Sequence, residues 1–269
     1  MKKLLTTLAI CGFTSMNVTA DNMNSRTLTI GNTKVTVYRD NVPSTDPEKT
    51  NPDNNIFAIH QDGKIILVNA GLGGEDGFLK RFVTDGHKPE DVSAVLITSL
   101  GEETIGGLLI GRETRTRVEG GVRGTSPGVV FPNATLYISK IEKEFWDKYP
   151  HRSMLTPPPL PKQVISAYKD RIVTFDFDTE ILPGITTLEA PKQNPNQVYN
   201  TPIFATRDIM FIGGLDVDTT ATDIEQQRKS WQQQAADKKL QIAGSRLPFP
   251  AIGKLTANNK DNYTFTMAE

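Results

Sequence analysis

A single α/β domain, built on a mixed sheet or two packed sheets and covered by helices, is the fold class this sequence predicts. Three observations carry that expectation. Hairpin patterns open each half of the chain, strand-like runs then alternate with helical ones, and no clean linker separates the halves. The 269 residues are 37% hydrophobic, enough to fill a core without disulfides.

Residues 1–20, "MKKLLTTLAICGFTSMNVTA", begin with Lys2 and Lys3, continue through an apolar stretch from Leu4 to Phe13, and end on Val18-Thr19-Ala20. That is the pattern of a secretory leader, with cleavage expected after Ala20 and residues 21–269 left as one domain. A retained anchor would need about 20 continuous apolar residues, and this run stops short of that. Lipidation at Cys11 is the other alternative, disfavoured by Ile10 before it. A periplasmic or secreted protein, with no membrane segment after cleavage, is the expectation.

Cys11 is the only cysteine, so residues 21–269 offer neither a disulfide nor a thiolate. Two of the 30 basic residues and none of the 31 acidic ones lie in the leader. The remaining chain then carries a formal charge of about −3, which gives no preference for nucleic acid. Arg112, Arg115, Arg117 and Arg123 cluster locally, but Glu113 and Glu119 interleave with them, as in a solvated loop.

Along the chain, "RTLTIGNTKVTVYRD" alternates about Gly31-Asn32 as a hairpin does. "NIFAIH" and "KIILVNAG" flank Gln61-Asp62-Gly63 as a second one. From Glu75 the period becomes helical, through Phe78, Leu79, Phe82 and Val83, until Gly86 closes the segment. "VSAVLITS" is a strand, after which Gly106 and Gly107 permit a close approach of helix and sheet. Residues 111–133, rich in Gly and Arg, are expected as a loop. Then come a strand ("ATLYIS"), a helix ("KIEKEFWDKY") and a break at "TPPPLP". "RIVTFD", "ITTLEA", "PIFATRD" and "IMFIGGLDV" are strands, and residues 221–239 form an exposed helix with Ile224, Trp231 and Ala235 on its inner side.

Six segments, in order, resemble the landmarks of the metallo-β-lactamase superfamily. They are "NIFAIHQDGKIILVNAGLGG", "VLITSLGEETIGGLL", "FPNATLYISKIEKEFW", "DTEILPGITTLEAPKQNPNQ", "FIGGLDV" and "AGSRLPFPAIG". The branch they are most similar to is that of the exported lactonases and methyl-parathion-type organophosphate hydrolases. The resemblance implies an αββα sandwich of two mixed sheets flanked by helices, with a two-zinc site at one edge. It also implies imidazole and carboxylate ligands, which hold Zn²⁺ at about 2.0–2.2 Å and lower the pKa of a bound water to about 7.

Those ligands are missing where the resemblance puts them. Ser99, Gly101, Glu103 and Thr104 occupy the places of His, His, Asp and His in the family's H-x-H-x-D-H motif. Gln197 stands for the loop histidine, Gly214 for the bridging aspartate and Arg246 for the late histidine. Asn69 replaces a supporting aspartate, while Gly71, Gly106, Gly107 and Gly213 remain. Only Glu103 still offers a charged oxygen, and Arg246 brings a permanent cation to a place meant for a dication. Arg246 is expected either to pair with Glu103 as the positive charge of the pocket or to extend into solvent.

Other candidates weigh less. His60, His87 and His151 lie away from the landmarks and have structural or surface roles in this reading. Ser99 and Ser245 would need a neighbouring base to act as nucleophiles, and "GTSPG" lacks the setting of a nucleophile elbow. Asp216 and Asp218 suit a solvated turn or helix cap, and Gln193, Asn194, Asn196 and Gln197 either line a polar pocket or form an exposed loop. Phe145, Trp146 and Trp231 serve a homodimer contact or the core.

The expectation is an exported pseudoenzyme without cofactor, a metal-free relative of these hydrolases that binds a small polar or anionic ligand or a protein partner. The alternative is a hydrolase of lactones, esters or phosphotriesters, working through a non-standard metal site or none.

Overall fold

The computed structural model describes residues 17–22, 24–40, 53–74, 77–151, 156–190, 198–215, 231–259 and 262–268. Two large sheets dominate it. From edge to edge, the first runs Asn17–Asn22, Ser25–Ile30, Thr33–Arg39, Asn55–Gln61, Lys64–Val68, Val92–Leu96, Thr135–Ser139 and Ile172–Phe175. Its last four strands are parallel and the others antiparallel. The second runs Glu180–Leu182, Ile185–Ala190, Thr201–Ala205, Ile209–Gly213, Gln241–Gly244, Ile252–Asn259 and Asn262–Met267, with one parallel pair, Ile209–Gly213 beside Gln241–Gly244.

Alternation explains the layers. Within Asn55–Gln61, Phe57 and Ile59 point to the core between the sheets, while Ile56 and Ala58 point to the opposite face. The next strand divides the same way, Ile66 and Val68 inward against Ile65 and Leu67 outward. The first sheet is therefore apolar on both faces. Helices Phe78–Thr84, Lys140–Lys148 and Leu160–Ala167 cover its outer side through Phe78, Phe82, Trp146 and Val164. The inner face meets Ile203, Phe204, Phe211 and Ile212 of the second sheet, with Phe57 edge-on to Phe211 at 5.5 Å. Trp231 and Ala235, in the helical residues 231–237, join that core.

Both expected hairpins form, with Ile30 opposite Thr33 and Gln61 opposite Lys64. Gly106 and Gly107 do permit a close approach: a Cβ on Gly106 would lie 2.2 Å from the Leu72 carbonyl oxygen, and one on Gly107 2.0 Å from that of Ala70. Residues 111–133 differ from the expected loop. Thr114–Val118 and Gly121–Thr125 pair as a hairpin, the first strand carrying β-branched Thr114, Thr116 and Val118 at every second position and the second Val122 and Thr125, under the Gly and Arg content. The proline break also ends sooner, since Pro161 sits in the first turn of Leu160–Ala167, where its missing N–H costs no hydrogen bond. The strand Asn17–Asn22 spans the expected cleavage point after Ala20. Ile224 lies outside the described residues, among which no helix is long and apolar enough to cross a membrane.

Two of the histidines meet at the far end of the first sheet. His60 Nε2 lies 2.8 Å from Thr36 Oγ1, and its ring centroid is 5.6 Å from that of His87. Burial, then the charges of Lys34 and His87, push the His60 pKa from 6.5 down to about 4. The folded imidazole stays neutral where the unfolded one would be protonated, so the stability it contributes above pH 6.5 is lost as pH falls toward 4. His60→Gln is expected to remove this contribution, so that its urea midpoint rises relative to the parent's as pH is lowered from about 7 to about 4.

Candidate functional site

The strand ends bring the predicted residues together. Chain leaving Val92–Leu96 turns through Ser99 and Gly101 into the short helix Glu102–Ile105; Ile209–Gly213 leads to Gly214, and Gln241–Gly244 leads to Ser245 and Arg246. These are the carboxyl ends of parallel strands in both sheets, where α/β folds place their binding crevices. Ser99, Gly101, Glu103, Thr104, Gly214 and Arg246 all line one cavity there, of about 490 Å³.

Buried amides brace the turns around it. Asn69, 1% exposed and at φ 65°, accepts the Thr98 backbone N–H at 3.0 Å and donates to Thr98 Oγ1 at 2.9 Å. Asn55 donates its side-chain amide to the carbonyls of Ser245 at 3.0 Å and Leu247 at 2.8 Å, which fixes the turn carrying Arg246 against the first sheet. Thr104 is buried and its hydroxyl donates to the carbonyl oxygens of Ser99 and Gly101, so it braces the turn.

Two of the positions where the resemblance leads one to expect ligands are glycines, and neighbouring side chains use the space beside them. A Cβ at Gly101 would lie 2.9 Å from both carboxylate oxygens of Glu103. One at Gly214 would lie 3.4 Å from Arg246 Nε. Arg246 Nη2 and Glu103 Oε1 are 3.8 Å apart, with the side chains 56% and 45% exposed. Arg246 and Glu103 thus face one another across the cleft mouth.

One group went unrecognised in the sequence. Glu142 lines the same cavity, is only 1% exposed, and accepts the Leu100 N–H at 2.6 Å and the Tyr199 hydroxyl at 2.9 Å, both on Oε1. Burial raises its pKa from 4.5 to about 7, against the lowering effect of those two donors. Phe145, Trp146 and Tyr199 form an aromatic wall beside it.

The other candidates are elsewhere. Gln193, Asn194, Asn196, Gln197, Asp216 and Asp218 lie outside the described residues. His151 sits 3.1 Å from the Thr156 carbonyl. Arg112 pairs with Glu102 and Arg115 with Glu113, each at 2.6 Å. Trp231 is buried in the core, so a subunit contact does not use it, whereas half-buried Phe145 and Trp146 line the cleft.

These layers and this edge define a metallo-β-lactamase-like sandwich. No family model matches the sequence, and no curated protein matches it. Solved structures do match the fold. The hydrolase AbOPH of the beta-lactamase superfamily superposes with a TM-score of 0.68 at 18% identity, over 93% of this chain and 99% of that one. AidC, a dizinc quorum-quenching lactonase in complex with a product, gives 0.67 at 18%, over 91% and 98%. A probable metal-dependent hydrolase from Staphylococcus aureus gives 0.60 at 13%, over 87% and 97%. At such identities the likeness concerns the fold.

The described residues of the cleft do not fit a pair of zinc ions. Its carboxylates are Glu103, beside a guanidinium, and Glu142, whose Oε1 is taken by two internal donors, and no imidazole lines it. Among the described residues no group of three or more His, Cys, Asp or Glu is placed to hold a metal ion.

Proposed function

We propose that this protein binds a small polar or anionic molecule in the cleft, with Arg246 as the cationic anchor, and does so without the two zinc ions of the family pattern. The observation that carries the proposal is that the space beside Gly101 and Gly214, where the resemblance leads one to expect ligands, is taken by the side chains of Glu103 and Arg246. A guanidinium repels a dication and attracts carboxylate or phosphoryl oxygens. Its contact with Glu103 is long and half exposed, a kind of pair that contributes only about 0–1 kcal/mol, so an incoming anion can take the guanidinium over. Export, with residues 1–20 removed, belongs to the same proposal.

The second reading is a hydrolase of lactones, esters or phosphotriesters, with a non-standard metal site or none. Taken alone, the comparisons favour it, because the structural neighbours are hydrolases. Within the cleft its support is Glu142, a carboxyl that titrates near neutrality, where a general acid or base works best.

Metal analysis of protein purified without chelator, combined with turnover assays on those three substrate classes, separates the two. The expected result is substoichiometric metal, no turnover, and binding of simple carboxylates or inorganic phosphate that falls roughly tenfold or more in Arg246→Ala. Chelator-sensitive turnover at enzymatic rates would establish the hydrolase instead.

A further inference from the structure

The cationic anchor at Arg246 leaves the inner wall of the cavity unexplained. There Glu142 has one oxygen satisfied and one not: Oε1 takes both the Leu100 N–H and the Tyr199 hydroxyl, while Oε2 is buried with no hydrogen-bond partner among the described residues. A buried carboxyl oxygen left this way is costly, and one in a cavity wall can be satisfied by what the cavity holds.

The surroundings select the kind of donor. Phe145, Trp146 and Tyr199 line the same cavity, with ring centroids 5.4 Å apart for Phe145–Trp146 and 5.3 Å for Phe145–Tyr199. These rings are half-buried, and aromatic faces carry partial negative charge that attracts cations. A neutral hydroxyl could donate to Oε2 but would gain little from the rings. An ammonium group gains from both.

We infer that Glu142 and this aromatic wall bind a protonated amine, making the ligand of the cleft a small zwitterion with its anionic group at Arg246 and its ammonium on Glu142 Oε2. The anionic half rests on the function proposed above; the amine half stands on the inner wall alone. No covalent step is involved.

Calorimetric titration of the full chain tests it, using straight-chain ω-amino carboxylates of increasing length, the matched carboxylates, the matched ω-hydroxy carboxylates, and alkylamines. At the best length the amino end is expected to tighten binding roughly tenfold or more over the matched carboxylate, and the hydroxyl end by less. Glu142→Gln is expected to abolish that gain while changing the affinity of the plain carboxylate by no more than about twofold. Trp146→Leu, which keeps the carboxyl and removes a ring, should weaken the alkylamines as an independent check. An amino end that adds nothing at any length overturns the inference, and so does a gain that survives Glu142→Gln. Alkylamine binding that depends on Glu142 while no carboxylate binds would support the amine site and overturn the Arg246 anchor, so the two halves fail separately.

Discussion

Glu142→Gln is expected to make the protein more stable, by about 3 kcal/mol at about pH 8 and by less than about 1 kcal/mol at about pH 5. The acid titrates near 7 when folded and near 4.5 when free of the fold. Between those values the folded chain holds a proton that the unfolded chain has released, so stability falls as pH rises through the interval, and the full cost is reached above 7. Glutamine keeps the shape of the protonated acid. Its carbonyl can still accept from Leu100 and Tyr199, so the comparison isolates the charge. The facing groups are the Leu100 N–H and the Tyr199 hydroxyl, with Glu103 and Arg246 elsewhere on the cavity wall. Tyr199 is itself held in its neutral form, first by burial and then by Glu142, and does not titrate in this range. The gain corresponds to about 6–12 °C in melting temperature at the alkaline end for a domain of this size. Calorimetric melts of both proteins across the range check it. An equal shift at both ends would mean that the carboxyl ionises normally. His60 slopes the opposite way over much of the same interval, so the parent protein's profile is expected to be flatter than that of either variant.

Gly107→Ala is expected to destabilise by more than about 4 kcal/mol and to cost most of the soluble yield. The added methyl would stand 2.0 Å from the carbonyl oxygen of Ala70, a backbone atom next to the central strand Lys64–Val68. Nothing flexible is available to yield, because Ala70 N–H already donates to Thr104 O at 2.7 Å and Gly107 N–H to Gly71 O at 2.9 Å. Opening the contact means separating the helical turn from the sheet and losing these bonds. Gly128→Ala is the matched control: the nearest atom to its new methyl would be the Ile110 Cβ at 3.5 Å, an ordinary contact, and a change within about 0.5 kcal/mol is expected. Soluble yield and denaturant midpoints for the pair decide the matter.

Much of the layered fold was legible because strands covered on both faces read as short continuous apolar runs, as in Asn55–Gln61 and Lys64–Val68. The cleft residues 99, 101, 103, 104, 214 and 246 were legible from their positions beside ordered landmarks, since strand ends converge on one edge. Glu142 was not. The helix Lys140–Lys148 would bury Ile141 on hydrophobicity alone, yet Ile141 is 48% exposed and Glu142 is inside. Its only signal was the Trp four residues on, which shares its helical face. Composition hid the hairpin at Thr114–Thr125, where glycine and arginine masked the β-branched repeat, and the prolines hid Leu160–Ala167. The hydroxyl of Thr104 illustrates a limit of motif transfer: its bonds to two carbonyls hold up a turn, a role that spacing does not announce.

Asn55 has a consequence for how this molecule can evolve. The cation at the cleft mouth hangs from a turn whose carbonyls are gripped by an amide on the opposite sheet, 190 residues earlier in the chain. Placement of that charge is thereby inherited from the interior. Drift in the outer loops can change what surrounds the guanidinium without moving it, whereas one exchange at the buried amide between the sheets would release it.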